Sequence, residues 1–140
     1  MNIFVIILIV VIVYILIRFF SDLNKDNSDL ENTTLEYKFE VVVSLLNDFA
    51  YSGLGRVTVL DKRSFNLYEV GSHQIIMFRY GTGHLTIIWK YKYFQKEVVY
   101  EKTFENVRNL SIFEQGRIAE LVIREMQVVI AKHQIDVMNF

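Results

Sequence analysis

The histidines, glycine pairs and serines are the residues whose types could support catalysis or ligand binding. His73, His84 and His133 lack the close H-E-x-x-H type of spacing that a metal site needs, and the chain has no cysteine. Neither Gly53-x-Gly55 nor Gly81-x-Gly83 continues into a dinucleotide or phosphate motif, and no serine lies in a G-x-S-x-G context. We therefore expect no catalytic, cofactor-binding or metal-binding residue, no cofactor, and a protein that is not an enzyme.

Aromatic and basic side chains alternate in the stretch TIIWKYKYFQKEVVY, which begins at Thr86. Proteins that stack single-stranded nucleic acid expose aromatic side chains beside basic ones, whereas successive side chains of a strand point to opposite faces. On a strand, one face carries Leu85, Ile87, Trp89, Tyr91 and Tyr93. Lys90 and Lys92 then lie on the other face. The pattern favours an aromatic core row and a solvated basic face, with contact between that basic face and anionic lipid or an acidic subunit as the alternative.

An uncharged apolar run, IFVIILIVVIVYILI, begins at Ile3 and ends just before Arg18. With its neighbours it gives about 20 residues, which at about 1.5 Å per residue cross the 30 Å of a hydrocarbon core. A cleaved signal peptide needs a basic residue before the apolar run and a small residue at its cleavage site. No Lys or Arg precedes the run, and no Ala, Gly or Ser occurs before Ser21. We expect residues 1–20 to be a single-pass anchor in membrane lipid. Its residues include Ile3, Phe4, Ile7, Val11, Tyr14, Ile17 and Arg18.

Charge is distributed unevenly around this anchor. Only Arg18 and Lys25 flank it, both on the C-terminal side, so the positive-inside rule predicts a cytoplasmic domain; a periplasmic or extracytoplasmic domain is the alternative. Residues 21–32, SDLNKDNSDLEN, are polar and acidic, and we expect a solvated tether there. Residues 53–110 contain nine basic and five acidic side chains, an excess too small to indicate a nucleic-acid partner.

Residues 33–140 are expected to form one small domain. Thr33 and Glu36 have capping-box spacing before an apolar pattern of helical period, which Ser52-Gly53 ends. Ser111 and Glu114 mark the start of a long last helix in the same way. Between the helices, short connections predict an antiparallel meander, with strands at 56–60, 65–70, 74–80, 85–93 and 97–104. The predicted fold class is α+β: a single transmembrane helix, then a two-layer domain of about five antiparallel strands flanked by two helices.

The last helix is expected to be longer than the sheet is wide. If it ends near Val137 it measures about 40 Å, whereas five strands make a sheet about 24 Å wide. Its apolar end is therefore either a frayed terminus or a candidate contact for another subunit. Together with the basic sheet face, the candidate partner or lipid contacts are Lys90, Lys92, Lys96, Ile135, Val137, Met138 and Phe140.

These features together predict a membrane-anchored accessory or scaffolding subunit that acts through protein–protein contacts in a membrane-associated assembly. Partners are then membrane lipid, through the N-terminal helix, and one or more proteins, with no nucleic acid. A homo-oligomer is left open. The alternative is a membrane-tethered module that binds a lipid or small molecule between its sheet and its helices.

Overall fold

The computed structural model describes residues 2–31 and 33–139, so Met1, Asn32 and Phe140 lie outside the described residues. The helices are α1 (Ile3–Asp29), α2 (Leu35–Lys38), α3 (Glu40–Tyr51) and α4 (Ile112–Met138). The strands are β1 (Arg56–Asp61), β2 (Ser64–Tyr68), β3 (Gln74–Gly81), β4 (His84–Tyr93) and β5 (Lys96–Phe104). An apolar N-terminal helix, an antiparallel sheet and a long C-terminal helix confirm the predicted α+β class.

Helix α1 contains the apolar run and extends beyond it. Residues Ile3–Ser21 are long and apolar enough to cross a membrane, with a mean hydropathy of 3.2, and none of that window is buried against the rest of the chain. The seven predicted anchor residues all lie on this exposed helix. The helix continues to Asp29, so the backbone is helical through most of the predicted tether. Extension is favourable because an existing helix has already met the cost of nucleation, and neither proline nor glycine interrupts the segment.

The first predicted capping box is wrong. Thr34, and not Thr33, is the N-cap of α2, and its side chain makes no capping hydrogen bond. The helix is also interrupted at Phe39, whose φ of −107° and ψ of 30° separate α2 from α3. Phe39 is fully buried, and its ring lies 5.7 Å from that of Tyr80. Tertiary packing of this residue therefore outweighs local helix propensity. The predicted end is confirmed, because Ser52 and Gly53 both have positive φ.

The sheet is a five-stranded meander in the order β1-β2-β3-β4-β5, with every neighbouring pair antiparallel, as predicted. The loop between β3 and β4 consists of Thr82 and Gly83, with φ of 52° and 74°. Two consecutive positive φ values are typical of the tight turn that matches strand twist. The Gly81-Thr82-Gly83 segment is thus a hairpin connection, as its sequence predicted.

Helices α2, α3 and α4 cover one face of the sheet, and the core lies between these layers. Its fully buried side chains come from both layers and include Val42, Leu46, Phe65, Phe78, Ile87 and Trp89. The rings of Phe65 and Phe78 stack with centroids 4.5 Å apart. The hydroxyl of Tyr51 lies 3.0 Å from the carbonyl oxygen of Leu67 and 2.9 Å from that of Gln74. The two acceptors share its one proton, which ties the end of α3 to β2 and β3.

Strand β1 lies outside the area that the helices cover. Val57 pairs with Leu67 and Val59 pairs with Phe65, so both valines are on the helix side of the sheet. Their partners are fully buried, yet Val57 is 38% exposed and Val59 is 54% exposed. The core therefore ends at β2, and β1 offers an apolar surface to solvent.

Helix α4 runs along β5 and does not cross the sheet, which corrects the expected overhang. Glu125 contacts Tyr100 in the middle of β5, and His133 contacts Lys96 at the start of the same strand. Because α4 runs parallel to the strands, the dimension that its length must match is the length of a strand, about 34 Å for ten residues, and not the width of the sheet. The end of α4 thus keeps contact with its own domain as far as Met138, whose sulfur accepts a hydrogen bond from Tyr93.

Two glycines give opposite predictions for substitution by alanine. A Cβ on Gly116, in α4, would meet no atom within 4 Å beyond its chain neighbours and the backbone of its own helix, so Gly116→Ala should stabilise the domain by up to about 1 kcal/mol through helix propensity. A Cβ on Gly55 would lie 2.6 Å from atoms of Asn47 and Tyr51, so Gly55→Ala should destabilise it by about 1–3 kcal/mol. Chemical denaturation measures both free energies of unfolding. Equal effects of the two changes would contradict this account.

Candidate functional site

The alternating aromatic and basic stretch is divided between the two faces of β4, as the sequence predicted. Trp89 is fully buried, its indole N–H donates a hydrogen bond to Gln74 Oε1 at 2.9 Å, and its ring contacts Phe49 edge-on at 5.9 Å. The backbone pairing places Tyr91 on the same face, partly buried against the core. The aromatic row is therefore core, and it is not an exposed platform for stacking bases.

The three candidate lysines do not form one surface. Lys90 and Lys92 lie on the outer face, opposite Val99 and Glu97 of β5. Lys96 pairs with Tyr93, and side chains of paired residues share a face, so Lys96 is on the helix side. Lys96 therefore lies at the β4–β5 turn, apart from the surface that carries Lys90 and Lys92. Whether Lys90 and Lys92 contact lipid or a protein stays a prediction.

The outer face of the sheet has an apolar centre inside a polar border. Ile75, Met77, Ile88 and Val99 lie on neighbouring strands there, and Lys90 and Arg79 lie beside them. Helices α2, α3 and α4 pack on the opposite face. The apolar pattern on both sides of β3 therefore reflects its central position in the sheet and does not indicate a second helical layer.

The predicted contacts at the end of α4 are divided between its two sides. Gln134 donates a hydrogen bond to the Tyr91 hydroxyl at 3.0 Å, which holds one side against β4. Ile135 is 59% exposed and Met138 is 68% exposed, while Val137 is partly buried. Phe140 lies outside the described residues. Ile135 and Met138 are thus available to a partner, and that role stays a prediction.

A charged cluster joins α4 to β5. Glu125 accepts hydrogen bonds from Lys102 at 2.8 Å and from the Tyr100 hydroxyl at 2.6 Å. The Lys102 bond, followed by the Tyr100 bond, lowers the pKa of the Glu125 carboxyl below its ordinary value. Burial raises the pKa of Tyr100, and the Glu125 carboxylate raises it further. Lys102, which interrupts the apolar face of β5 in the sequence, therefore has a structural role at the helix–sheet boundary.

The histidines are dispersed in the fold. His73 is exposed, His84 begins β4, and a ring nitrogen of His133 lies 2.8 Å from the carbonyl oxygen of Lys96. Over residues 2–31 and 33–139, no group of three or more His, Cys, Asp and Glu side chains is placed to hold a metal ion.

A groove that the sequence did not reveal lies beside the uncovered strand β1. Its volume is about 660 Å³. Its apolar lining residues are Leu30, Leu35, Tyr37 and Val59. Thr33 and Thr34 complete one wall, so the connection from α1 to α2 forms one side and the β1–β2 turn the other. We call this feature the β1 groove.

The rim of the β1 groove is acidic. Glu31, Glu36 and Asp61 line it together with a single basic residue, Lys62. The Asp61 carboxyl accepts hydrogen bonds from the backbone N–H of Arg63 and the hydroxyl of Ser64, and these bonds lower its pKa. The acidic bias of the segment before α3 was visible in the sequence. That this segment lies beside β1 was not visible in the sequence, because it depends on how the chain folds in three dimensions.

The chain matches no protein-family model, and no curated protein or solved structure matches it.

The Glu125 cluster predicts a measurable dependence of stability on pH. A carboxyl whose pKa is lowered by folding stabilises the folded state above its unfolded pKa of about 4.3. At pH 7, Glu125→Gln should therefore lower the free energy of unfolding, by less than about 1 kcal/mol since the pair is partly exposed. Denaturation curves should converge for the two proteins as the pH falls below about 4.3 and through the folded pKa.

The matched control is Glu120→Gln, which removes an exposed carboxylate from the same helix. It should show no such convergence. A loss of unfolding free energy in Glu125→Gln that stays constant from pH 7 to pH 3 would contradict a lowered Glu125 pKa in the folded state.

Proposed function

We propose that this chain is a membrane-anchored accessory or scaffolding subunit that acts through protein–protein contacts in a membrane-associated assembly. The observation that carries the proposal is apolar surface left uncovered beside a filled core. Val57 and Val59 on β1, Ile112 and Phe113 at the start of α4, and Ile135 near its end are exposed. Contiguous exposed apolar groups, such as Val57 and Val59 on one face of β1, are typical of surfaces that contact other proteins.

The anchor role is supported by α1. Its apolar window makes no buried contact with the domain, unlike the core helix of a soluble protein. Arg18 and Lys25 follow the window, which supports a cytoplasmic domain by the positive-inside rule. Anchoring would raise the concentration of the domain around a partner in the same membrane. The proposed role is non-catalytic.

The alternative, a module that binds a lipid or small molecule, is favoured by one observation, the β1 groove. The groove lies at the edge of the domain and not between the two layers, where large side chains such as Phe65 and Phe78 are fully buried. Native mass spectrometry of the detergent-purified chain tests this alternative. It requires a bound lipid or small molecule, seen as added mass on the wild-type chain, that the Val59→Asp variant lacks.

Purification from the native host in mild detergent tests the proposed function. We expect the full chain to co-purify with a defined protein at constant stoichiometry. The control carries residues 1–31 on an unrelated soluble protein, and it should lose any partner that the domain holds. A full chain that purifies as a monomer without a partner, also after cross-linking in intact membranes, would contradict the proposal.

A further inference from the structure

Strand β1 is an open edge whose charged residues lie only at its two ends. Between Arg56 and Asp61 it carries only Val57, Thr58, Val59 and Leu60. The opposite edge strand, β5, carries Lys96, Glu97, Glu101 and Lys102 and has α4 alongside it. Charged side chains and covering elements are the usual means by which proteins prevent the addition of another strand. From Val57 to Val59 strand β1 lacks both, so its backbone can pair there with an incoming segment. The register shift between Val59 and Asp61 ends this stretch of the edge.

The β1 groove defines what such a segment would carry. A strand added beside β1 places alternate side chains on the helix side of the sheet, next to Val57 and Val59. Apolar side chains fit there, because both valines are exposed and the groove has apolar residues in its lining. The acidic rim, with three carboxylates and one lysine, favours Lys or Arg near one end of the segment.

The position of the groove restricts the source of that segment. The apolar window ends at Ser21 and α1 ends at Asp29, so a helical extension of eight residues, about 12 Å, separates it from Leu30 in the groove wall. The groove is thereby held near the membrane surface. The cytoplasmic flanks of membrane-spanning helices are enriched in Lys and Arg. Anionic lipid head groups fit less well, because the rim carboxylates repel them.

We propose that the β1 groove binds an extended basic segment of a partner protein, which adds to the edge of β1 as a further strand. Its chemistry is that of the basic cytoplasmic flank of another membrane-spanning helix: alternate apolar residues next to two or more Lys or Arg. Main-chain hydrogen bonds supply affinity in this mode of recognition, and the side-chain positions supply specificity. The inference rests on the proposed function, and it names the class of partner.

The test uses the full chain in nanodiscs of phosphatidylcholine and a fluorescent peptide probe. The probe alternates Val and Thr between paired lysines at each end. Fluorescence anisotropy should show saturable binding that weakens as salt is raised. Two control peptides separate the contribution of charge from that of main-chain hydrogen bonds. One has Glu in place of every Lys, and the other has every central backbone nitrogen methylated. Both should fail to bind.

Matched variants of the chain locate the site. Glu31→Lys combined with Glu36→Lys should weaken binding about tenfold or more, because two favourable charge pairs become repulsive. Glu97→Lys combined with Glu101→Lys makes the same charge change on the exposed edge of β5 and should leave binding unchanged. Val59→Asp should abolish binding, while Val99→Asp, at a valine of similar exposure on β5, should not.

Several results would overturn the inference. Absence of binding to wild type, equal loss in the β5 variants, or undiminished binding of the methylated peptide would each exclude strand addition at β1. Dimers of the chain that Val59→Asp separates and the peptide does not displace would assign the edge to a second copy. Binding of the Lys peptide only in nanodiscs that contain phosphatidylserine would assign the signal to lipid.

The outcomes for the proposed function remain distinguishable. If a native partner co-purifies equally with wild type and with the Glu31→Lys, Glu36→Lys variant, this inference fails and the scaffolding role stands. If the peptide binds as expected but no protein co-purifies with the full chain, the scaffolding role fails and the groove remains a peptide site.

Discussion

The width of two packed helices is the constraint on which the rest of this structure depends. Neighbouring helices pack about 8–10 Å apart, so α3 and α4 cover about 20 Å, while five strands extend over about 24 Å. Helix α4 lies on the β5 side and α3 lies toward β2, so β1 is the strand left over. The exposed valines of β1 and the groove beside them both follow from this mismatch. A larger helical layer would have buried them.

A small set of polar contacts fixes where the helices sit. The Gln74 amide donates to the carbonyl oxygen of Ala50 at 2.8 Å, and its side-chain oxygen accepts from Trp89, so one residue links α3, β3 and β4. At the other end, Gln115 donates to the carbonyl oxygen of Lys38, and the Lys38 ammonium donates to that of Arg108. The carbonyl oxygens of Ala50 and Lys38 are at helix ends, where the helical ladder supplies no partner, and that of Arg108 lies in the loop before α4.

The sequence predicted features that depend on neighbouring residues along the chain. Alternation assigned Trp89 and Lys90 to opposite faces, and the capping box at Ser111 and Glu114 is present with both of its hydrogen bonds. The similar pair at Thr33 and Glu36 failed because the helix begins one residue later, with Thr34 as its N-cap. The face of Lys96 was not predictable from alternation, because the face of a turn residue depends on the register of the hairpin. The β1 groove was not predictable, since distant segments form its two walls.

The continuous helix from the apolar window to Asp29 has a mechanical consequence. A flexible linker would let the domain sample all directions above the bilayer, whereas each residue of a helix has a fixed direction around the helix axis. Each residue inserted into or removed from this stalk turns whatever it carries by about 100° around the helix axis and shifts its height by about 1.5 Å. For an anchored chain, the length of this helical extension therefore sets the direction in which the chain leaves α1 as well as the height above the membrane at which it does so.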